Sequence, residues 1–200
     1  MFEYEHPTID RYTWVQQQPT SAASHADPAG HRDKETRLAT DDDAYDIHWM
    51  TQALALADDA AAAGEVPVGA LIVRDGQLLG TGYNQPIATS DACAHAEIMA
   101  IRAACAAVDN YRLPGATLYC TLEPCAMCAG AIGHARIARV VYGADDFRAG
   151  AVHSIFRVLD EARLNHRVVH TGGVLADASA ARLRRFFRAR RDPGRSESLG

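Results

Sequence analysis

From Asp41 onward the apolar residues fall into runs whose period keeps changing, two residues in one run and three to four in the next. A chain patterned this way builds a sheet and covers it with helices. The sharpest piece is VPVGALIVRDGQLLGTGYN, where two strand-like runs flank Asp75-Gly76, a dipeptide that accepts positive φ at both positions of a tight hairpin turn. Before it, DDDAYDIHWMTQALALADDAAAAG reads as a helix. Acids favour its positive end, Ile47, Met50, Leu54 and Ala57 recur at helical steps, and Gly64 stops it. After the hairpin come a polar loop through Asp91, a helix over AHAEIMAIRAACAAV, a buried strand ATLYCTL, a helix CAMCAGAIGH and a strand RVVYG. The loop GADDFRAGA then leads to a short helix expected near Ile155 to Leu159, a strand across Arg167 to Thr171, and a final helix from about Asp177 to Arg191. Strands joined through helices imply an α/β fold with helices on both faces of a central sheet. No internal repeat is visible.

Composition bounds the function classes. With 200 residues, 48% hydrophobic and 22% charged, the chain suits one ordinary soluble domain and excludes a collagen or a wholly disordered protein. No stretch reaches the roughly 18 uninterrupted apolar residues of a bilayer-spanning helix, so no membrane role is expected. The amino terminus, MFEYEHPTID, is acidic where a signal peptide is basic and then apolar, which argues against export. Five cysteines are an odd number, and the Cys125-Ala-Met-Cys128 spacing serves metals or redox chemistry rather than a secreted scaffold. A cytoplasmic protein with reduced thiols is expected.

Charge is unevenly spread. Residues 1–46 carry ten acids and four bases, whereas the remaining 154 carry fifteen acids and sixteen bases. Up to about Asp43 the chain is polar and aperiodic, so 1–43 is expected to be a disordered acidic extension, 44–191 the folded domain and 192–200 a flexible tail. Residues 182–195 hold seven arginines and one acid, Asp192, in a chain with one lysine. Arginine suits bidentate phosphate contact and base stacking, so RNA is a candidate partner; a solvated helix face is the plainer reading of the same residues.

The chemistry concentrates at two predicted helix starts, His95-Ala96-Glu97 and Pro124-Cys125-Ala-Met-Cys128. Zinc takes imidazole and thiolate readily, and two cysteines three apart in a first turn share one helical face. Pro124 suits the opening of a helix, where its missing N–H would be unpaired anyway. The positive helix end favours thiolate over thiol. His95, Cys125 and Cys128 make three ligands, and no second Cys-x-x-Cys or His-x-x-x-His completes four. The remaining position is left for water, whose pKa zinc lowers toward about 7. Glu97 is poorly placed to ligate from the same turn but is within reach of that water as a proton shuttle. Each residue also has a plainer role: His95 as a satisfied capping histidine, Glu97 as a helix-start acid, Cys125 and Cys128 as a redox pair. Cys93 lies near enough to compete for the metal but reads better as a loop residue, and Cys105 and Cys120 as small core hydrophobes.

AHAEIMAIR and TLEPCAMCAGAI carry the known His-x-Glu and Pro-Cys-x-x-Cys signature of the zinc-dependent nucleobase deaminases. With EVPVGALIV, GYNQPI, NYRLPGATLY, RIARVVYGA, LNHRVVHTGGVLAD and FFRARR, they resemble the bacterial tRNA-specific adenosine deaminases over about Asp46 to Arg191. The resemblance implies a three-layer α/β/α cytidine deaminase-like fold with a mixed five-stranded sheet and one Zn²⁺ per subunit. It also implies a homodimer and hydrolysis of a cyclic amidine: adenosine to inosine at the wobble position of a tRNA anticodon, with arginine tRNA as acceptor. Carried over by motif, Asn84 hydrogen-bonds the target nucleoside, Val66 and Pro86 shape its pocket, Asp146 and Asn165 contact ribose or flanking nucleotides, and Phe187 and Arg191 meet neighbouring bases and phosphates. The plainer roles are a turn residue for Asn84, a loop acid for Asp146 and core for Phe187. Where many relatives have Asp-Pro-Thr, this chain has Asp91-Ala92-Cys93, and Arg148 stands where a lysine is usual.

Two alternatives stay open. A deaminase of free guanine, cytosine or a nucleotide would use the same zinc apparatus, but the arginine-rich final helix argues against so small a substrate. A non-catalytic, zinc-stabilised RNA-binding module would need four protein ligands and no Glu97.

Overall fold

A computed structural model describes residues 41–191. The expected extension over 1–43 therefore lies outside the described residues except for Asp41–Asp43, which open the first helix, and the tail 192–200 lies wholly outside them. Helix α1 (Asp41–Ala62) leads into strands β1 (Gly69–Arg74) and β2 (Gln77–Tyr83). A one-turn helix α2 (Pro86–Thr89) precedes α3 (Ala96–Ala107), and β3 (Thr117–Leu122), α4 (Ala126–His134), β4 (Arg139–Ala144), β5 (Val169–Thr171) and α5 (Ala176–Arg191) follow. No described helix is long and apolar enough to cross a membrane.

The five strands form one mixed sheet in the order β2-β1-β3-β4-β5. Strand β1 runs antiparallel to both neighbours, and β3, β4 and β5 run parallel. The β1–β2 turn is the expected one: Asp75 and Gly76 both take positive φ, 52° and 75°. Because strand side chains alternate, each central strand feeds two cores. Ile72, Leu118, Cys120, Val140 and Tyr142 pack on one face with Ala100 and Ala104 of α3 and Ile132 of α4. Leu71, Val73, Tyr119 and Val141 pack on the other with Trp49, Met50 and Ala53 of α1. Helix α5 shares the α1 face, where Gly143 of β4 makes room for Ser179; a Cβ there would come within 2.3 Å of the serine oxygen. Arg182 of α5 grips both carboxylate oxygens of Asp58 of α1 at 2.9 and 2.7 Å. The result is the expected three layers.

Three local expectations are corrected. Ile47 is 43% exposed, and the buried stripe of α1 instead includes Asp46. Its carboxylate accepts the Tyr119 hydroxyl at 2.9 Å and Arg139 at 2.7 and 2.6 Å, so the buried acid is fully partnered. The short helix near Ile155 to Leu159 is a 3-10 turn over Val158–Asp160, because Ile155 and Phe156 are exposed and give a helix no face to bury. The strand expected from Arg167 shrinks to Val169–Thr171 at the sheet edge, where one neighbour supplies all its pairing.

Candidate metal centre and substrate cleft

The two helices that frame the centre begin alike. His95 is the N-cap of α3 and Cys125 the N-cap of α4, both with extended backbone, and neither side chain bonds back to its own helix. Imidazole and thiol turn instead toward each other. Cys125 Sγ and Cys128 Sγ lie 3.6 and 3.7 Å from His95 Nδ1, and all three donor atoms fall within 4.8 Å of one another. A tetrahedral zinc with Zn–S of about 2.3 Å and Zn–N of about 2.0–2.1 Å separates its ligand atoms by roughly 3.6 Å. The spacing and the donor chemistry both fit zinc. No fourth His, Cys, Asp or Glu joins the group among the described residues. Cys93 is an exposed loop residue, and Cys105 and Cys120 also lie outside the group. Pro124 departs from expectation: it stands one residue before the cap rather than inside the helix, and its carbonyl accepts the Ala151 N–H at 2.8 Å.

The electrostatics prepare the centre. A hydrogen bond from Cys128 outweighs the cost of burial and, with His95, holds the Cys125 thiol at about 4, a thiolate at neutral pH. Cys128, the donor of that bond and more deeply buried, is pushed far up. A cation held among the three atoms favours both thiolates. Burial pushes the Glu97 carboxyl up to about 7, against the pull of its own backbone N–H and of His95. Glu97 is 4% exposed in the first turn of α3. A carboxyl poised near neutrality beside three metal donors suits proton transfer in both directions.

Asn84 follows β2, and its Oδ1 accepts the Ala96 N–H at 2.9 Å, fastening the residue after His95. Pro86 sits in the first turn of α2, a helix held by Glu65, whose Oε1 accepts the Ala88 N–H at 2.8 Å. A cleft of about 730 Å³ opens where β3 and β4 end, lined by Val66, Asp146, Phe147, Arg184, Phe187 and Arg191 among others. It therefore brings together four of the residues expected to touch substrate, Val66, Asp146, Phe187 and Arg191. Its lining includes none of the three metal donors and not Glu97. Asp146 also holds its own loop, its Oδ1 accepting the N–H groups of Arg148 and Ala149 at 2.9 and 3.2 Å.

Two placements were not legible. Asn165 is away from the cleft, in a separate depression at the opposite ends of β3 and β4, where its Oδ1 accepts Arg136 at 2.7 Å. The arginines of α5 divide by helical phase: Arg184, Arg188 and Arg191 face the cleft, whereas Arg182 binds Asp58 and Arg190 donates to the Gly64 carbonyl and stacks on Phe186.

Glu123 escaped notice altogether. It is 2% exposed and accepts from Asp146, Val152, His153 and Ser154. Burial works against its charge, but those donors, Ser154 foremost, hold the carboxyl at about 2. Its signal is that it is the sole acid between Asn110 and Asp145, at the end of an apolar strand.

The pattern of the cytidine and deoxycytidylate deaminase zinc-binding region matches residues 44–144. The chain belongs to that deaminase family. The deaminase is similar to the tRNA-specific adenosine deaminase of Haemophilus influenzae, 48% identical over 154 residues that cover 76% of this chain and 89% of that one. It is similar to a chain solved in biochemical and structural studies of A-to-I editing by tRNA:A34 deaminases at the wobble position of transfer RNA. That match has a TM-score of 0.66 and 45% identity, covering 68% of this chain and 99% of the other. A guanine deaminase from Nitrosomonas europaea shares the fold at a TM-score of 0.62 and 26% identity, covering 82% and 98% of the two chains. The deaminase is thus a zinc enzyme of the α/β/α fold that its motifs implied.

Proposed function

We propose that this deaminase converts adenosine to inosine in tRNA, at the wobble position of the anticodon, with arginine tRNA as acceptor. The observation that carries the reading is the cleft wall of Arg184, Phe187, Arg188 and Arg191, which closes on Leu122 at the end of β3, three residues before the metal donor Cys125. A free base needs no such track of phosphate-binding and stacking side chains, so the guanine deaminase alternative leaves these residues without a purpose.

His95 Nδ1, Cys125 Sγ and Cys128 Sγ would hold the zinc. Bound there, zinc supplies Lewis acidity that makes water a competent nucleophile near neutral pH. Glu97 receives one proton of the attacking water and delivers it to N1 of the flipped adenine, then takes the second proton from the hydroxyl added at C6 and passes it to N6, so that ammonia departs as the C6 carbonyl forms. Asn84 keeps its Nδ2 amide for the nucleoside while its Oδ1 is engaged by Ala96. Val66 and Pro86 wall the base from solvent. Asp146 meets the ribose or a flanking nucleotide, and Phe187 and Arg191 meet neighbouring bases and phosphates.

The same reading includes a homodimer in the cytoplasm. Gly130 and Gly133 on the outer side of α4 have open space where a Cβ would be, which supports close approach of a second copy. A contact from Asn165, remote from the cleft of its own subunit, then goes to RNA held by the other subunit or to the stem. The test is incubation of the purified protein with an arginine-tRNA anticodon stem-loop, and separately with adenosine, guanine and cytidine. Inosine in the stem-loop with the free compounds unchanged is the expected product; deamination of guanine alone would replace the reading.

A further inference from the structure

Residues 145–157 carry Asp145, Asp146, Phe147 and Arg148 into the cleft wall, yet have no helix or strand of their own to satisfy their backbone. One side chain on another segment accepts four of their N–H groups. Glu123 Oε2 accepts the Asp146 N–H at 3.0 Å and the Ser154 hydroxyl. Its Oε1 accepts three successive N–H groups, Val152 at 3.1 Å, His153 at 2.7 Å and Ser154 at 2.9 Å. Among the described residues Glu123 takes part in no ion pair, so its charge is met by backbone amides and the Ser154 hydroxyl.

The approach is close. A Cβ on Gly150 would stand 2.3 Å from Glu123 Oε2, and Gly150 is bridged to Cys125 while the Ala151 N–H bonds to the Pro124 carbonyl. The loop is therefore seated on the segment 123–125 that ends in a metal donor. Both ends of the loop, at Asp146 and at 152–154, hang on a single carboxylate.

We propose that Glu123 is a positioning residue for substrate discrimination: it sets the 145–154 loop in the one arrangement in which Asp146, Phe147 and Arg148 read the nucleotides flanking the target base. This rests on the reading of the protein as an RNA deaminase. Glutamine at 123 keeps the size of the side chain but turns one acceptor into a donor, which must then face either the Asp146 and Ser154 donors or the 152–154 amides. One end of the loop is released.

The experiment compares zinc-loaded wild type, Glu123→Gln and Ser154→Ala on anticodon stem-loops that differ at the nucleotides beside the adenosine. Amide hydrogen exchange is followed at 146 and 152–154. The expected result for Glu123→Gln is faster exchange at those amides, KM raised by about tenfold with kcat largely kept, and loss of discrimination among the stem-loops. Ser154→Ala, which removes one donor, shifts the same quantities less, and carries the test if Glu123→Gln does not fold. A purely structural glutamate would lower the active fraction and kcat while leaving KM and discrimination alone, and that outcome overturns the proposal; so do unaltered amide protection factors. A wild type that makes no inosine in any stem-loop overturns the RNA reading instead, and the exchange data then judge the clamp separately.

Discussion

The side-chain oxygen of Asn84 accepts the backbone N–H of Ala96 at 2.9 Å, so the residue expected to touch the nucleoside also fastens the turn that carries His95. Its two functions separate by substitution. Asn84→Asp retains the acceptor but exchanges the amide donor for a second, charged oxygen, which the positive end of α3 offsets, so thermal stability holds while deamination falls. Asn84→Ala also strands a buried N–H at a helix start, at a cost of about 1–2 kcal/mol, and lowers the melting temperature as well. Calorimetry and inosine formation on both variants check this.

Glu97→Gln should bind one zinc per chain and melt like the wild type, yet lose inosine formation by a factor of about 10² to 10⁴ or more, the range that a general acid–base group supplies. Metal content and turnover on the same preparation decide it. Undiminished turnover would remove Glu97 from the mechanism.

Cys125→Ser should lower zinc affinity and abolish activity. Exhaustive chelation of the wild type should do the same reversibly, and cobalt in place of zinc should give thiolate charge-transfer absorption that weakens in Cys125→Ser. A metal-free protein of full activity would contradict the centre.

Replacing Arg184, Arg188 and Arg191 with glutamine should weaken stem-loop binding and flatten its salt dependence, each lost phosphate contact lowering the slope of log K against log salt by about 0.7 to 0.9. Arg190→Gln should leave that slope unchanged, because its guanidinium lies on Phe186 and the Gly64 carbonyl. Titrations at several ionic strengths separate the two groups.

Much of the frame could be read from residues alone, because its causes are local. Asp75-Gly76 dictates its turn wherever it stands, and the alternation of Leu118, Tyr119 and Cys120 records a strand buried on both faces. The metal centre was legible for the same reason, since two short motifs supply all three donors. What escaped depends on distant partners. Asp46 is buried in place of Ile47 because Tyr119 and Arg139 come from other strands to meet it. Glu123 gathers a loop more than twenty residues downstream. The phase of the α5 arginines depends on where Asp58 waits, and Asn165 followed its motif into a depression that the motif does not describe.

The metal donors begin helices on one face of the sheet, whereas the arginine-bearing helix lies on the other and is bolted to α1 through Arg182 and Asp58. The donor set and the arginine row therefore sit on opposite faces of one sheet. Altering the arginine row of the terminal helix would leave every donor atom of the metal centre in its own helix start.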